Sequence, residues 1–420
     1  MTVARIPLFS LLSLLAWSCG PDRYDPERNY LDREKEIMTQ FIIAEDSSVI
    51  ELPEGHFLFS RSLIMDGKNH VTIRGQGIDK TVLSFKGQQE GAEGIRITNS
   101  TSITLENFTV EDAAGDNIKV MDTDGITFRR VKVAWTGPIT QENGAYGFYP
   151  VICKNVLIEE CVSMGASDAG VYVGQSEEVI IRNNKVYQNV AGIESENSDQ
   201  VEIYGNECWD NTGGILVFNL PGLTRYGQNI KVYDNHVHDN NRENFAVPGA
   251  IVGTIPAGSG IIVLATKNVE VFNNEIADNR TVGVSVISYE LMSALEEENE
   301  GEQPAPESGV QGIRTDFRTD QNYDPYPGQI SIHDNQFSNT HWLPYLGSDF
   351  GKLFLFKLGF HIPDIALDGI KPDDYFLADG SVSQQYKVCI DEKQPITFVD
   401  LDAAHAFENL STDVTKFRCR

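Results

Sequence analysis

Basic residues are in short supply. The chain carries 33 Lys and Arg against 61 Asp and Glu, a formal net charge of −28. A surface this negative repels nucleic acid, which is held chiefly by Lys and Arg at its phosphates. It would also repel a polyanionic polysaccharide, unless Ca²⁺ bridges the two or a local basic patch overrides the field. Cysteine is sparse as well, with six in 420 residues and neither a CxxCH haem-attachment motif nor a zinc-type pair. Cys389 and Cys419 bracket the C-terminal region and are placed to form a disulfide in an oxidising compartment. Cys153, Cys161 and Cys208 read as small buried hydrophobes. Long apolar runs are missing beyond the first twenty residues, so no later transmembrane helix is expected.

The N-terminus reads as a targeting segment. Arg5 is the only charge before the apolar run Ile6 to Trp17, which is too short to span a bilayer as a stable helix. The run ends in Ala16-Trp17-Ser18-Cys19, which resembles the bacterial lipobox with Cys19 as the lipidated residue. Ala16 stands where Leu is usual, and a plain secretory signal with an incidental Cys is the alternative. Both readings export the protein. With lipidation the expectation is a cell-envelope protein, on the periplasmic or the surface side of an outer membrane, touching the membrane only through its lipid anchor. Residues 1–18 would be signal peptide and 19–49 a tether and N-terminal cap.

A short phrase recurs along the rest of the chain: apolar, any residue, apolar, then a polar step. It appears as Val71-Thr72-Ile73, Ile103-Thr104-Leu105, Ile126-Thr127-Phe128, Val156-Leu157-Ile158, Val179-Ile180-Ile181, Val201-Glu202-Ile203, Ile230-Lys231-Val232, Val269-Glu270-Val271 and Ile330-Ser331-Ile332. Self-similarity at about 22 residues means stacked units. An apolar residue lies eight positions earlier in most units (Leu63, Ile95, Ile118, Phe148, Val171, Ile193, Ile261), and another comes at +7. Three short alternating strands per unit is the arithmetic of a β-helix coil. The expected fold is all-β: a right-handed parallel β-helix of about nine coils over residues 50–340, with an N-terminal helical cap and a C-terminal capping region or appended unit, 341–420.

Asn recurs at one position of five successive units: Asn184, Asn206, Asn235, Asn274 and Asn335. Stacked amides can bond one another and the turn backbone, which predicts an internal ladder. A leucine-rich repeat is the rival, since its signature also sets Asn after alternating apolar residues. Val and Ile in place of Leu, extra strands, no helical pattern and unit lengths from 22 to 61 residues disfavour it. Ile37, Phe41 and Ile42 have helical spacing and predict a cap between Glu34 and Glu45, covering the open end of the core. The period is lost after Phe337, and the acidic stretch Glu296 to Gly309 reads as a loop.

The repeat fixes which side chains face out. On the first strand of each coil the outward column reads Arg96, Lys119, Tyr149, Tyr172, Glu194, Leu216, Ile262, Ser285. A second column reads Thr98, Met121, Val151, Gly174, Glu196, Phe218, Leu264, Ile287. Arg96 to Glu194 would form a polar strip of roughly 19 Å at the strand spacing. Insertions at about 134–146, 219–227, 239–259 and 288–328 all border this strand, and would build the walls of a groove suited to a chain of sugars. Two chemistries fit. In lyase or epimerase chemistry, Arg96, Lys119 or Ca²⁺ would neutralise a uronate carboxylate while Tyr149 or Tyr172 shuttles the proton. In glycoside hydrolysis two carboxylates flank the bond; Glu194 and Glu196 lie about 7 Å apart along the strand, with Asp168 in the preceding turn. Catalytic candidates are thus Lys119, Tyr149, Tyr172, Glu194 and Glu196, and substrate-contacting candidates Arg96, Asp168, Gln175, Asn197, Phe218 and Asn219. No cofactor is called for beyond Ca²⁺. His236 and His238 face outward on the third strand, away from the groove, and read as surface residues.

The strings Ser167-Asp168-Ala169-Gly170-Val171-Tyr172-Val173-Gly174-Gln175-Ser176 and Asn189-Val190-Ala191-Gly192-Ile193-Glu194-Ser195-Glu196-Asn197-Ser198, with Asn211 to Gly222 and Asn240 to Gly260, resemble an exported bacterial family of parallel β-helix repeat proteins, often lipoproteins. The resemblance covers most of the mature chain. That family has no settled activity, and its genes commonly neighbour a diheme c-type cytochrome. The broader pectin-lyase-like superfamily it is similar to implies polysaccharide lyases, hydrolases and epimerases working in the same groove. No complete lyase or epimerase catalytic motif is present. Two functions are therefore expected: binding or processing of a polysaccharide or oligosaccharide, or a non-catalytic scaffold partnering an exported cytochrome, whose basic docking face would suit this acidic surface.

Overall fold

The computed structural model describes residues 29–299 and 317–419. Cys19 and the signal segment lie outside the described residues, as does most of the acidic stretch. Of that stretch, residues 296–299 belong to the helix Tyr289–Asn299. No helix among the described residues is long and apolar enough to cross a membrane.

The chain winds as a parallel β-helix. Its front face is an eleven-stranded sheet whose strands succeed one another in chain order, from Arg61–Asp66 to Phe398–Asp400. The other two strands of each coil form a second, folded sheet, joined into one because Thr101–Glu111 and Asp124–Ala134 run round the corner between the two faces. Every pairing of one coil with the next is parallel, as in Val171↔Ile193 and Ile193↔Ile215. The alternating apolar positions of all three faces meet in one continuous core, from Leu63 to Phe398.

The corners explain how a coil this short turns so tightly. A residue in the left-handed conformation precedes each ladder Asn: Asn183, Gly205, Asp234, Asn273 and Asp334. Gly, Asn and Asp tolerate that conformation best. The next residue, the Asn itself, turns inward. Asn184 Nδ2 donates to Asn206 Oδ1 at 2.9 Å, and the relay runs through Asn235 and Asn274 to Asn335. Each Oδ1 also accepts the backbone N–H of the Asn in the preceding coil. Buried turn groups that would otherwise lack partners are satisfied in this way. Glu392 ends the ladder by accepting from Asn335. A second ladder, not among the expectations, runs through Asn189, Asn211, Asn240 and Asn279 at the next corner. Its signal is in the sequence: Gln188-Asn189, Asp210-Asn211, Asp239-Asn240 and Asp278-Asn279 repeat the same two-residue pattern, with the first residue left-handed each time.

The helix Glu34–Ile43 covers the N-terminal end by burying Ile37 and Phe41 against the core, whereas Ile42 faces solvent. Stacking does not stop where the period fades. Ile365–Leu367 and Phe398–Asp400 add strands to the front sheet, and Val388–Asp391 pairs with Gly328–His333. Long connections between these strands hide them from a search at fixed spacing. Cys389 and Cys419 are joined in a disulfide, and Cys153, Cys161 and Cys208 are buried.

Candidate functional site

The outer surface of the front sheet carries both columns in the register the repeat dictates. Arg96 pairs with Lys119, Lys119 with Tyr149, Tyr172 with Glu194, Glu194 with Leu216, Leu216 with Ile262 and Ile262 with Ser285. The second column runs Thr98, Met121, Val151, Gly174, Glu196, Phe218, Leu264, Ile287 through the same pairings.

The expected open groove, however, is not there. Tyr149 and Tyr172 are each 4% exposed and Glu194 only 1%. The insertions lie down on the sheet instead of standing as walls. Leu220, Val252, Ile255, Tyr289, Met292, Phe317 and Tyr323 form a second hydrophobic core with Leu216, Phe218, Ile262 and Leu264. The apolar half of each column drives this, since exposed Leu, Ile and Phe in a stack gain most by being covered. Where this roof meets the C-terminal helix Asp349–Leu358, an apolar cavity of about 80 Å³ remains, lined by Phe218, Leu264, Met292 and Phe354.

The polar half becomes a buried cluster. Tyr146, Tyr149 and Tyr172 pack ring on ring, with centroids 4.5 to 4.9 Å apart. Offset and edge contacts of this kind favour each aromatic pair by about 1 kcal/mol. Around them stand four carboxyls: Asp116, Asp168, Glu194 and Glu196. Burial pushes Asp116 up to about 7, with Lys119 pulling the other way. Burial likewise raises Asp168 to about 7, opposed by a hydrogen bond with Tyr146 and reinforced by Asp116. Glu196 also rises to about 7 through burial, opposed by its hydrogen bond with Tyr172. Glu194 is raised well above the ordinary carboxyl range, first by burial and then by Asp168 and Glu196. Among the described residues, Glu194 Oε1 and Asp168 Oδ1 are buried without a hydrogen-bond partner. The three tyrosines are pushed up too, chiefly by burial and then by the carboxylates beside them. Lys119 lies 3.9 Å from Asp116 and over the Tyr149 ring at 4.7 Å. Arg96, exposed, and the half-buried Lys119 stand at the edge of this cluster.

The structure thus gathers Lys119, Tyr149, Tyr172, Glu194, Glu196 and Asp168, with Arg96 at the rim. It adds Asp116 and Tyr146, which lie in turns or at a strand start where the column pattern does not reach. Gln175, Asn197, Phe218 and Asn219, expected to contact substrate, are engaged within the fold. Gln175 and Asn197 are left-handed corner residues. Gln175 accepts from Thr224, and Asn197 donates to the Leu220 and Arg225 carbonyls, so both hold the 219–227 insertion in place. Asn219 is buried and closes the same insertion through Gly227. Phe218 is part of the roofed apolar core.

A solenoid of stacked parallel coils closed around one continuous core defines a β-helix protein. The family described as "Right handed beta helix region" matches residues 61–219 and 136–293, so the chain belongs to that family. No curated protein matches it. Among solved structures, the A-module of the Azotobacter vinelandii mannuronan C-5 epimerase AlgE4 is similar, with 15% identity, a TM-score of 0.52, and 87% of this chain and 92% of that one covered. The DFA-IIIase of Arthrobacter chlorophenolicus A6 is similar at 11% identity and a TM-score of 0.45, covering 86% of this chain and 92% of that one. An N-terminal fragment of bacteriophage Phi29 gene product 12 is similar at 13% identity and a TM-score of 0.43, with 92% and 71% covered.

Proposed function

We propose that the protein binds and processes a polysaccharide or oligosaccharide at the front sheet, by acid–base chemistry at its cluster of carboxyls. The carrying observation is the pair Asp168 and Glu194 among the three tyrosines, each with a buried carboxyl oxygen that meets no donor. Buried acceptors of this kind are costly unless something supplies a donor, and sugar hydroxyls are donors at the right density. Tyrosine faces suit the apolar faces of sugar rings.

Glycoside hydrolysis is the chemistry favoured. It needs one carboxyl that stays protonated near neutral pH and another that ionises. Burial raises Glu194, Asp168 and Glu196 alike, so a protonated carboxyl and an ionised one can stand together in this cluster. A tyrosinate base, as lyase or epimerase chemistry would use, is disfavoured by the upward push on Tyr146, Tyr149 and Tyr172. Four carboxyls and a net charge of −28 favour an uncharged glycan over a polyuronate. The similarity in fold to a protein named for its action on mannuronan supports the broader reading, that a sheet of this kind accommodates a polysaccharide.

The test is turnover on a panel of neutral glycans and polyuronates, with and without Ca²⁺, monitoring new reducing ends and ultraviolet-absorbing unsaturated products. New reducing ends from a neutral glycan, reduced at least about 100-fold in Glu194→Gln, are expected. Unsaturated products that persist in Glu194→Gln, or neither turnover nor binding across the panel, would overturn the reading.

A further inference from the structure

A different cluster sits on the third face of the coils, away from the front sheet. His236 and His238 belong to the three-residue strand His236–His238, with Val237 between them buried in the core. Strand alternation therefore sets both imidazoles on the outer surface. Their rings stack at 4.0 Å. The strand below supplies Glu207, directly paired with His236. One donor atom from each of Glu207, His236 and His238 lies within 4.8 Å of the other two, and among the described residues no other trio of such groups comes together.

The protonation pattern is already arranged. His238 Nδ1 bonds Asp239 Oδ2 at 2.9 Å, which fixes the proton there and leaves the lone pair on Nε2. That Nε2 is shielded from solvent and has no hydrogen-bond partner. It faces Glu207 Oε1 across 3.7 Å, too far for a hydrogen bond. A carboxylate oxygen and an imidazole nitrogen bound to the same tetrahedral ion lie roughly 3.3–3.5 Å apart, given metal–ligand bonds near 2.0–2.2 Å. The gap therefore matches a shared cation after small side-chain adjustments. Asp239 plays the part of the outer carboxylate that commonly orients a metal-bound His. Glu275, 3.9 Å from His236 Nε2 in the next coil, is at hand as a further oxygen donor. Lys185, 3.9 Å from Glu207 Oε2, offsets charge on the carboxylate's far side.

We propose that Glu207, His236 and His238 form a binding site for a late first-row divalent cation such as Zn²⁺, Cu²⁺ or Ni²⁺. Two imidazoles and one carboxylate suit these ions and not Ca²⁺ or Mg²⁺, which take all-oxygen cages. The ion ties two successive coils together and so stabilises the folded chain by mass action.

Tag-free protein, stripped with chelator, is titrated calorimetrically with ZnCl₂ and with CuCl₂. One-to-one binding in the low micromolar range or tighter is expected, unaffected by millimolar Ca²⁺. His238→Ala and Glu207→Gln should each weaken it at least about tenfold, and Asp239→Asn about tenfold. Cu²⁺ should quench Trp209, whose ring stacks 6.1 Å from His238, and its electron paramagnetic resonance spectrum should show coupling to two imidazole nitrogens. Zn²⁺ should raise the melting temperature of the wild type but not of the His236→Ala, His238→Ala double variant. These residues are exposed or half-buried, so the variants fold. Equal Zn²⁺ isotherms for wild type and double variant, an all-oxygen Cu²⁺ spectrum, or no binding would each overturn the proposal.

Discussion

Gly174 leaves the space in which the Tyr172 side chain lies. A Cβ at position 174 would stand 2.3 Å from the Tyr172 hydroxyl oxygen and 2.6 Å from the carbon that carries it. Gly174 pairs with Glu196 in the next coil, which is how the phenol reaches that carboxyl. Gly174→Ala should expel the ring, break the Tyr172–Glu196 hydrogen bond and cost about 1–3 kcal/mol through overpacking. Urea unfolding measures the cost. Unchanged stability with unchanged glycan turnover would show that the ring has room elsewhere.

Ionisation of the buried carboxyl cluster opposes folding. Burial raises Glu194, Asp168 and Glu196 above their unfolded values, so the folded chain holds these protons more tightly. Their contribution to stability is full below the unfolded carboxyl range of about 4 and is lost as pH rises through the folded values, about 7 for Asp168 and Glu196. Glu194→Gln removes one such group. Relative to wild type, the variant should gain stability progressively as pH rises above about 4, read as a difference in urea midpoints. A difference that stays flat or shrinks with pH contradicts the assignment.

Glu159 carries the opposite sign. Burial works against its charge, but Arg129 and Arg182 outweigh it and hold the carboxyl below its usual value. The three residues stand in register in successive coils. Arg129 Nε donates at 2.6 Å, and Arg182 donates through Nε at 2.9 Å and Nη2 at 2.6 Å. Glu159→Ala should cost about 1–3 kcal/mol, a loss that disappears as pH falls through the folded value. A pH-independent cost would mean that packing, not charge, is what Glu159 contributes.

Asn235 sits at the middle of the first ladder. Its Oδ1 accepts from the Asn206 backbone and side chain, and its Nδ2 donates to Ile203 and Asn274. Asn235→Ala should lose about 2–5 kcal/mol, because several buried groups are left unpaired at about 1–3 kcal/mol each. Asn184, at the ladder's start, accepts only the Cys161 N–H, whereas Asn235 accepts two donors from Asn206, so Asn184→Ala leaves one donor fewer unpaired and should cost less. Chemical denaturation of both variants decides the order.

The site was legible in part. Column positions such as Lys119, Tyr149, Tyr172 and Glu194 are set by strand alternation and coil spacing, both periodic and local. Asp116 and Tyr146 escaped because a turn residue's direction depends on the loop it belongs to. Asn197 and Asn219 look like groove residues for a related reason: polar side chains beside a proposed groove seem free until the insertions they anchor are in place. His236 and His238 read as surface side chains because neither the Glu207 partner nor the Asp239 hydrogen bond has a signature in the repeat.

What the chain's own residues determined is the stacked β-helix, its inward and outward columns and its first Asn ladder, since these depend only on alternation, a repeat length and left-handed corners. What tertiary structure alone decided is the fate of the outward face. Insertions distant in sequence close over its apolar half as a second core, and burial of the polar half pushes its carboxyls above their ordinary range.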